Sequence, residues 1–161
     1  MPNRRGFIAA VAGLALARPS LAQAQPLVVY DDELKNGWQS WSWAKVDLSV
    51  PVGGGKPIKV QGDPWSALAL HHDAFHTGNY SKLTFIINGG AQGGQALMIK
   101  VMVDGKPVDS SFVIQPKAKT WARVEVPLKD IAGDGKTIDG ICWQGQADAY
   151  SPYYITRIQF E

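Results

Sequence analysis

At 161 residues and a formal charge of +2, the chain is long enough for one domain with a real core and too weakly charged for a dedicated nucleic-acid binder. That charge belongs to the first residues: without Arg4, Arg5 and Arg18 the basic count falls from 16 to 13 against 14 acidic residues, giving −1. The single cysteine, Cys142, excludes an intramolecular disulfide, so stability must come from a hydrophobic core or a metal.

The N-terminus reads as an export signal. Arg4-Arg5 precede an apolar run over 7–17, and Ala22-Gln23-Ala24 supplies a small-x-small cleavage site. The run is too short for a permanent membrane span. Arg4-Arg5-Gly6-Phe7 is similar to a twin-arginine signal, with the general secretory route as the alternative. Cleavage after Ala24 would leave 25–161 as one domain in the periplasm or outside the cell. The residue directly after the site is Gln25 rather than cysteine, which argues against a lipid anchor to the membrane.

Short strands follow in chain order. Residues 27–30 are an apolar run closed by Asp31-Asp32. The stretch GWQSWSW at 37–43 holds Trp38, Trp41 and Trp43, half of the six tryptophans. Such crowding serves either to wedge a core or to grip something flat and apolar. WSALAL at 65–70 alternates apolar residues, and HHDAFH at 71–76 reads as a loop. In 80–87, Leu83, Phe85 and Ile87 recur at period two before Asn88-Gly89-Gly90. In 95–103, Leu97, Ile99, Val101 and Val103 share one face and Met98, Lys100 and Met102 the other. Asp104-Gly105 then favours the positive φ values of a two-residue hairpin turn. Residues 112–114, 121–128, 138–143 and 153–160 complete the set. No helical period, coiled coil or internal repeat interrupts them. About eight or nine strands between glycine-rich breaks predict an all-β, antiparallel β-sandwich.

The order of these pieces carries more information than any one of them. YDDELKNGWQSWSW, then GGGKPIKV, WSALAL, YSKLTFIINGG, GGQALMIKV, WARVEVPL, IDGICWQG and YYITRIQF resembles a jelly-roll, galactose-binding-like carbohydrate-binding module. Such modules belong to secreted bacterial and fungal glycan-degrading systems. The resemblance spans about residues 29–160 and implies a jelly roll that binds a polysaccharide or oligosaccharide. Many relatives hold a structural calcium between acidic residues near the first strand and an Asp-Asp pair in the last. Here Asp31 and Asp32 are present, but Thr156-Arg157 stands where the second carboxylates are expected. Calcium wants six to eight oxygens, so Asp31 and Asp32 are weak candidates and no cofactor is expected.

Sugar rings present an apolar face and a rim of hydroxyls, so stacked indoles beside amides are the expected chemistry. The candidate carbohydrate-binding residues are Trp38, Gln39, Trp41, Trp43, His72, Trp143, Gln144, Gln146 and Tyr150. Each stack is worth about 0.5–1.5 kcal/mol by analogy with aromatic pairs, which gives dissociation constants of roughly a micromolar to a millimolar. The same tryptophans could instead close the fold, and Trp121 and Trp65 read as packing residues. Catalytic signals are thin: Glu125 has no second carboxylate at glycosidase spacing, and Cys142 sits in an apolar strand. The alternatives are a polysaccharide lyase, which needs His72 or His76 to meet Tyr80, Tyr150 or Arg123, and a protein-binding module of the cell envelope. The sequence names no protein partner.

Overall fold

Alternation of large apolar and polar residues decides which side of each strand faces inward. The computed structural model describes residues 25–161; the export signal read over 1–24 lies outside them. The strands are β1 (Leu27–Tyr30), β2 (Gln39–Ser40), β3 (Lys45–Asp47), β4 (Ile58–Gly62), β5 (Ala67–His76) and β6 (Lys82–Asn88). Then come β7 (Leu97–Val103), β8 (Lys106–Pro107), β9 (Val113–Ile114), β10 (Trp121–Pro127), β11 (Thr137–Gln144) and β12 (Tyr150–Phe160).

They form two antiparallel sheets. The first runs β10-β6-β12-β4-β3, with β1 added along β12; the second runs β2-β5-β11-β7-β8, with β9 added along β7. Leu83, Phe85 and Ile87 of β6, Tyr153 and Ile155 of β12, and Ile58 and Val60 of β4 form the inner face of the first sheet. Leu68 and Leu70 of β5, Ile141 and Trp143 of β11, and Leu97, Ile99 and Val101 of β7 meet them from the second. Trp143 packs edge-on against Phe85, with ring centres 5.3 Å apart at 86°. This is the expected all-β sandwich.

The Asp104-Gly105 turn has the expected form. Val103 pairs with Lys106, and both turn residues have positive φ, 50° and 71°.

Other expectations need correction. HHDAFH is no loop: β5 runs unbroken to His76, paired with β11 through Phe75–Ile138 and His76–Thr137. Pairing to a long neighbour holds a polar stretch extended against its own weak strand preference. Trp65 lies before the strand rather than in it, and Leu128 falls in a 3₁₀ turn. Strands β2 and β3 were not foreseen, because two or three residues carry no period.

Candidate functional site

The residues on the side of the second sheet turned away from the main core bring small apolar, charged and amide side chains together. Strand register sets three rows across β5, β11 and β7: His71–Gly140–Met102, Ala69–Cys142–Lys100 and Ala67–Gln144–Met98. Short side chains fill the middle of this face, and Ala67, Ala69, Met102 and Cys142 form a second buried apolar cluster there. Burial pushes the Cys142 thiol up from 9.0 to about 12, with nearby Lys100 opposing weakly. It is therefore an inert thiol.

Along the edge of β5 runs the tryptophan segment. The Trp41 and Trp43 amides donate to the carbonyls of Ala69 and Ala67, at 2.9 and 3.1 Å. Ser42 tightens the join, its Oγ donating to Ala69 O and accepting from Ala69 N. The backbone is thus laid beside the strand, and both indoles are left accessible: Trp41 is 49% exposed and Trp43 46%.

Neither ring hangs free. Trp41 stacks flat on His71, ring centres 3.4 Å apart at 4°. His71 Nε2 lies 3.6 Å from Asp139 Oδ2, an atom that also accepts from the Gly105 amide at 2.7 Å. The β5–β11 register shifts here, with β5 residues 72–74 set against the single Asp139 of β11 between the Phe75–Ile138 and His71–Gly140 pairs. Trp43 is fixed differently: its Nε1 donates to the Trp65 carbonyl at 2.9 Å, and Gln144 Nε2 donates to the same oxygen. Lys100 Nζ donates to Gln144 Oε1 at 2.9 Å and lies 3.7 Å from Asp109 Oδ1. Lys100 is itself buried, at 8% exposure.

The predicted residues therefore separate. Trp41, Trp43 and Gln144 come together on this face, and Gln39, paired with His71 across β2 and β5, joins them at its edge. Trp38 is 3% exposed and stacks against Phe160 in the core, so it is corrected to a packing residue. Trp143, at 0% exposure, is corrected likewise: it shares the inward face with Ile141 and cannot meet a ligand. His72 packs on Trp38, and its Nδ1 and Nε2 face the carbonyls of Asp73 and Asn36 at 2.7 and 2.9 Å. Those contacts tie it to the fold rather than to the tryptophan face. Gln146 and Tyr150 lie beyond Trp65 on a different cavity, with the Tyr150 hydroxyl bonded to Ser66.

Sequence reasoning missed His71, Asp139 and Lys100. The signal for His71 was available, since period two puts it on the face of Ala67 and Ala69.

Asp31 and Asp32 do share a cavity with Thr156 and Arg157. Asp32 Oδ1 accepts from the Lys56 amide at 2.7 Å, and the remaining neighbour with charge is a guanidinium. That donor set does not fit a calcium ion. No group of three or more His, Cys, Asp or Glu residues with metal-holding geometry occurs among the described residues.

The folded chain overlays on solved structures of family 29 carbohydrate-binding modules. One, complexed with cellohexaose, matches 86% of this chain and 92% of its own with a TM-score of 0.66 and 14% identity. Another, complexed with mannohexaose, matches 84% and 90% with a TM-score of 0.63 and 15% identity. The fold is that of a carbohydrate-binding module. Identity this low establishes the jelly-roll architecture of the resemblance and nothing finer. In sequence, the chain is 29% identical over 150 residues to an endoglucanase of Dictyostelium discoideum, covering 85% of this chain and 21% of the relative. The chain thus spans about a fifth of that relative's length. No family model matches the chain.

Proposed function

We propose that the chain is an exported, non-catalytic carbohydrate-binding module that holds a polysaccharide across the outer face of its second sheet. One observation carries the reading: two exposed indoles held in place, Trp41 and Trp43, stand beside the ammonium of Lys100 and the amide of Gln144. Rings of this kind stack on the C–H faces of successive sugars, while amide and ammonium groups bond the hydroxyl rim. Two stacks and a few hydrogen bonds support micromolar to millimolar affinity, roughly −8 to −4 kcal/mol.

Fold and relatives support the same ligand class. Two of the structural neighbours carry cellohexaose and mannohexaose, so cellulose-type and mannan-type polymers are the first ligands to test. A partial match to an endoglucanase agrees with a module that serves glycan breakdown. An apolar patch without flanking amides would instead favour a protein partner. The lyase alternative needs histidine, tyrosine and arginine in one cleft. Here His72 lies on Trp38, Tyr150 on Ser66, and Arg123 on the other sheet, paired with Glu125 and Glu161.

Affinity electrophoresis through gels containing cellulose derivatives, mannans and other plant, algal and bacterial glycans tests the proposal. Retardation by a glycan that is lost in a folded Trp41→Ala or Trp43→Ala variant supports it. Unchanged mobility in every gel overturns it.

A further inference from the structure

Trp65 is held in a conformation that bulky residues avoid. Its φ is +64°, and it is the one aromatic among eight such non-glycine residues in the described chain. Three hydrogen bonds pin its backbone: the amide donates to Gln146 O at 2.8 Å, and the carbonyl accepts from Trp43 Nε1 and Gln144 Nε2. Strain of this kind persists only where the surroundings over-determine it, and it gathers at ligand clamps and functional sites. With its backbone so pinned, Trp65 stands 52% exposed.

The indole forms one wall of a cleft of about 390 Å³, at the low end of the range for small-molecule sites. This cleft lies at the ends of strands, between the β4–β5, β6–β7 and β11–β12 connections. Its other walls include Gln92, Gly94, Gln95, Gln146 and Asp148. Gly94, at φ +74°, brings bare backbone to the edge of the cleft, with nothing within 4 Å of where a Cβ would stand. Gln95 is buried and anchors the wall through its Nε2, which donates to Gly89 O at 2.8 Å and to Ser151 O at 3.1 Å. Its Oε1 has no partner among the described residues. Gln92 and Asp148 are exposed, and Gln146 is half-buried.

We infer that this cleft is a second saccharide site, separate from the tryptophan face, which takes a chain end or a short neutral oligosaccharide. Trp65 offers a stacking face, Gln92 and Gln146 offer amides, and Asp148 accepts from two adjacent hydroxyls at once. The carboxylate repels uronic or sulfated sugars, which fixes the neutral class. The volume holds one or two rings rather than a passing polymer. The ligand class rests on the carbohydrate-binding reading above; the location does not, since neither Trp41 nor Trp43 lines the cleft.

The test follows the indole N–H resonances of the ¹⁵N-labelled protein, assigned by single Trp→Phe variants. Methyl glycosides of glucose, mannose, galactose and xylose are titrated in, followed by cellobiose and mannobiose. The expected result is a saturable shift of the Trp65 resonance. It persists in Trp41→Ala, a ring that makes none of the bonds pinning Trp65, and weakens about tenfold, or ~1.4 kcal/mol, in Asp148→Ala. Gln146→Ala is the second variant and weakens the same titration. Short sugars that move Trp41 or Trp43 but leave Trp65 still overturn the inference, as does a panel that moves no indole. Polysaccharide retardation in gels, lost in Trp41→Ala, judges the tryptophan face independently. The cleft can therefore fail while the face stands, and the reverse.

Discussion

The indole of Trp41 lies parallel to the imidazole of His71 at 3.4 Å, so one face of the ring is already occupied and the other is turned to solvent. Asp139 holds His71 from behind, and the Gly105 amide holds Asp139. A sugar arriving on the open face therefore meets a ring whose rotamer freedom has been lost in advance, which lowers the entropy cost of binding.

Removing the ring and removing its support should have graded effects. Trp41→Ala is expected to weaken polysaccharide binding by about 2- to 13-fold, the equivalent of one stack. His71→Ala leaves the indole in place but unbacked and should weaken binding by a smaller factor, about two- to threefold, through regained ring mobility. Titration calorimetry with a soluble glycan checks both. Equal affinity of His71→Ala and the parent would show that the stack beneath Trp41 plays no part in binding.

Trp38 and Trp143 should behave oppositely. Both rings are in the core, so Trp143→Leu and Trp38→Leu are expected to lower unfolding free energy by roughly 2–4 kcal/mol while leaving glycan affinity unchanged. Each indole N–H lacks a hydrogen-bond partner among the described residues, which trims the loss. Urea denaturation and gel retardation of the same samples separate stability from binding. A folded Trp143→Leu variant with lost affinity would contradict its placement.

The contrast between these tryptophans explains how far sequence could go. Period two correctly put Ile141 and Trp143 on one face of β11, but an apolar face beside an amide-rich strand end looks the same whether it meets a core or a sugar. Only the position of β11 in the middle of its sheet, between β5 and β7, decides. Trp41 and Trp43 were legible as a pair of rings; their address on β5 depends on β2 and on single backbone bonds to Ala69 and Ala67, which leave no periodic trace. Asp139 lies at a shift of the β5–β11 register, an irregularity that composition does not encode. Long strands with strict alternation, β6 and β7 above all, were readable because burial on one side is their dominant constraint.

The Asp31–Asp32 corner predicts indifference to chelators. With Arg157 lining the same cavity and Asp32 engaged by the Lys56 amide, a metal-free corner is the expected state. Thermal midpoints with EDTA and with millimolar calcium should therefore agree. A site that bound calcium only in the folded state would raise the midpoint with concentration. Such a rise, reversed by EDTA, would show that the chain keeps the ion despite its arginine.

Alkaline pH should find the weak points of the buried interior. Burial raises the Cys142 thiol from 9.0 to about 12, and burial also raises the fully enclosed Tyr153 hydroxyl well above its ordinary value. Below pH 9 the thiol is protonated in both folded and unfolded chains, and its contribution to stability is fully present. Above that the unfolded chain releases its proton while the folded chain keeps it, so the unfolded state binds fewer protons and stability falls toward pH 12. Native protein should thus resist thiol reagents at pH 8 and react in denaturant, and its urea midpoint should decline above about pH 9. Cys142→Ala should make that decline shallower. Tyr153→Phe should do the same, and because its hydroxyl lacks a partner among the described residues, it should leave neutral-pH stability unchanged or raise it by up to about 1 kcal/mol. Urea midpoints measured at several pH values for the three proteins decide the matter. Parallel declines in all of them would place the alkaline sensitivity elsewhere in the fold.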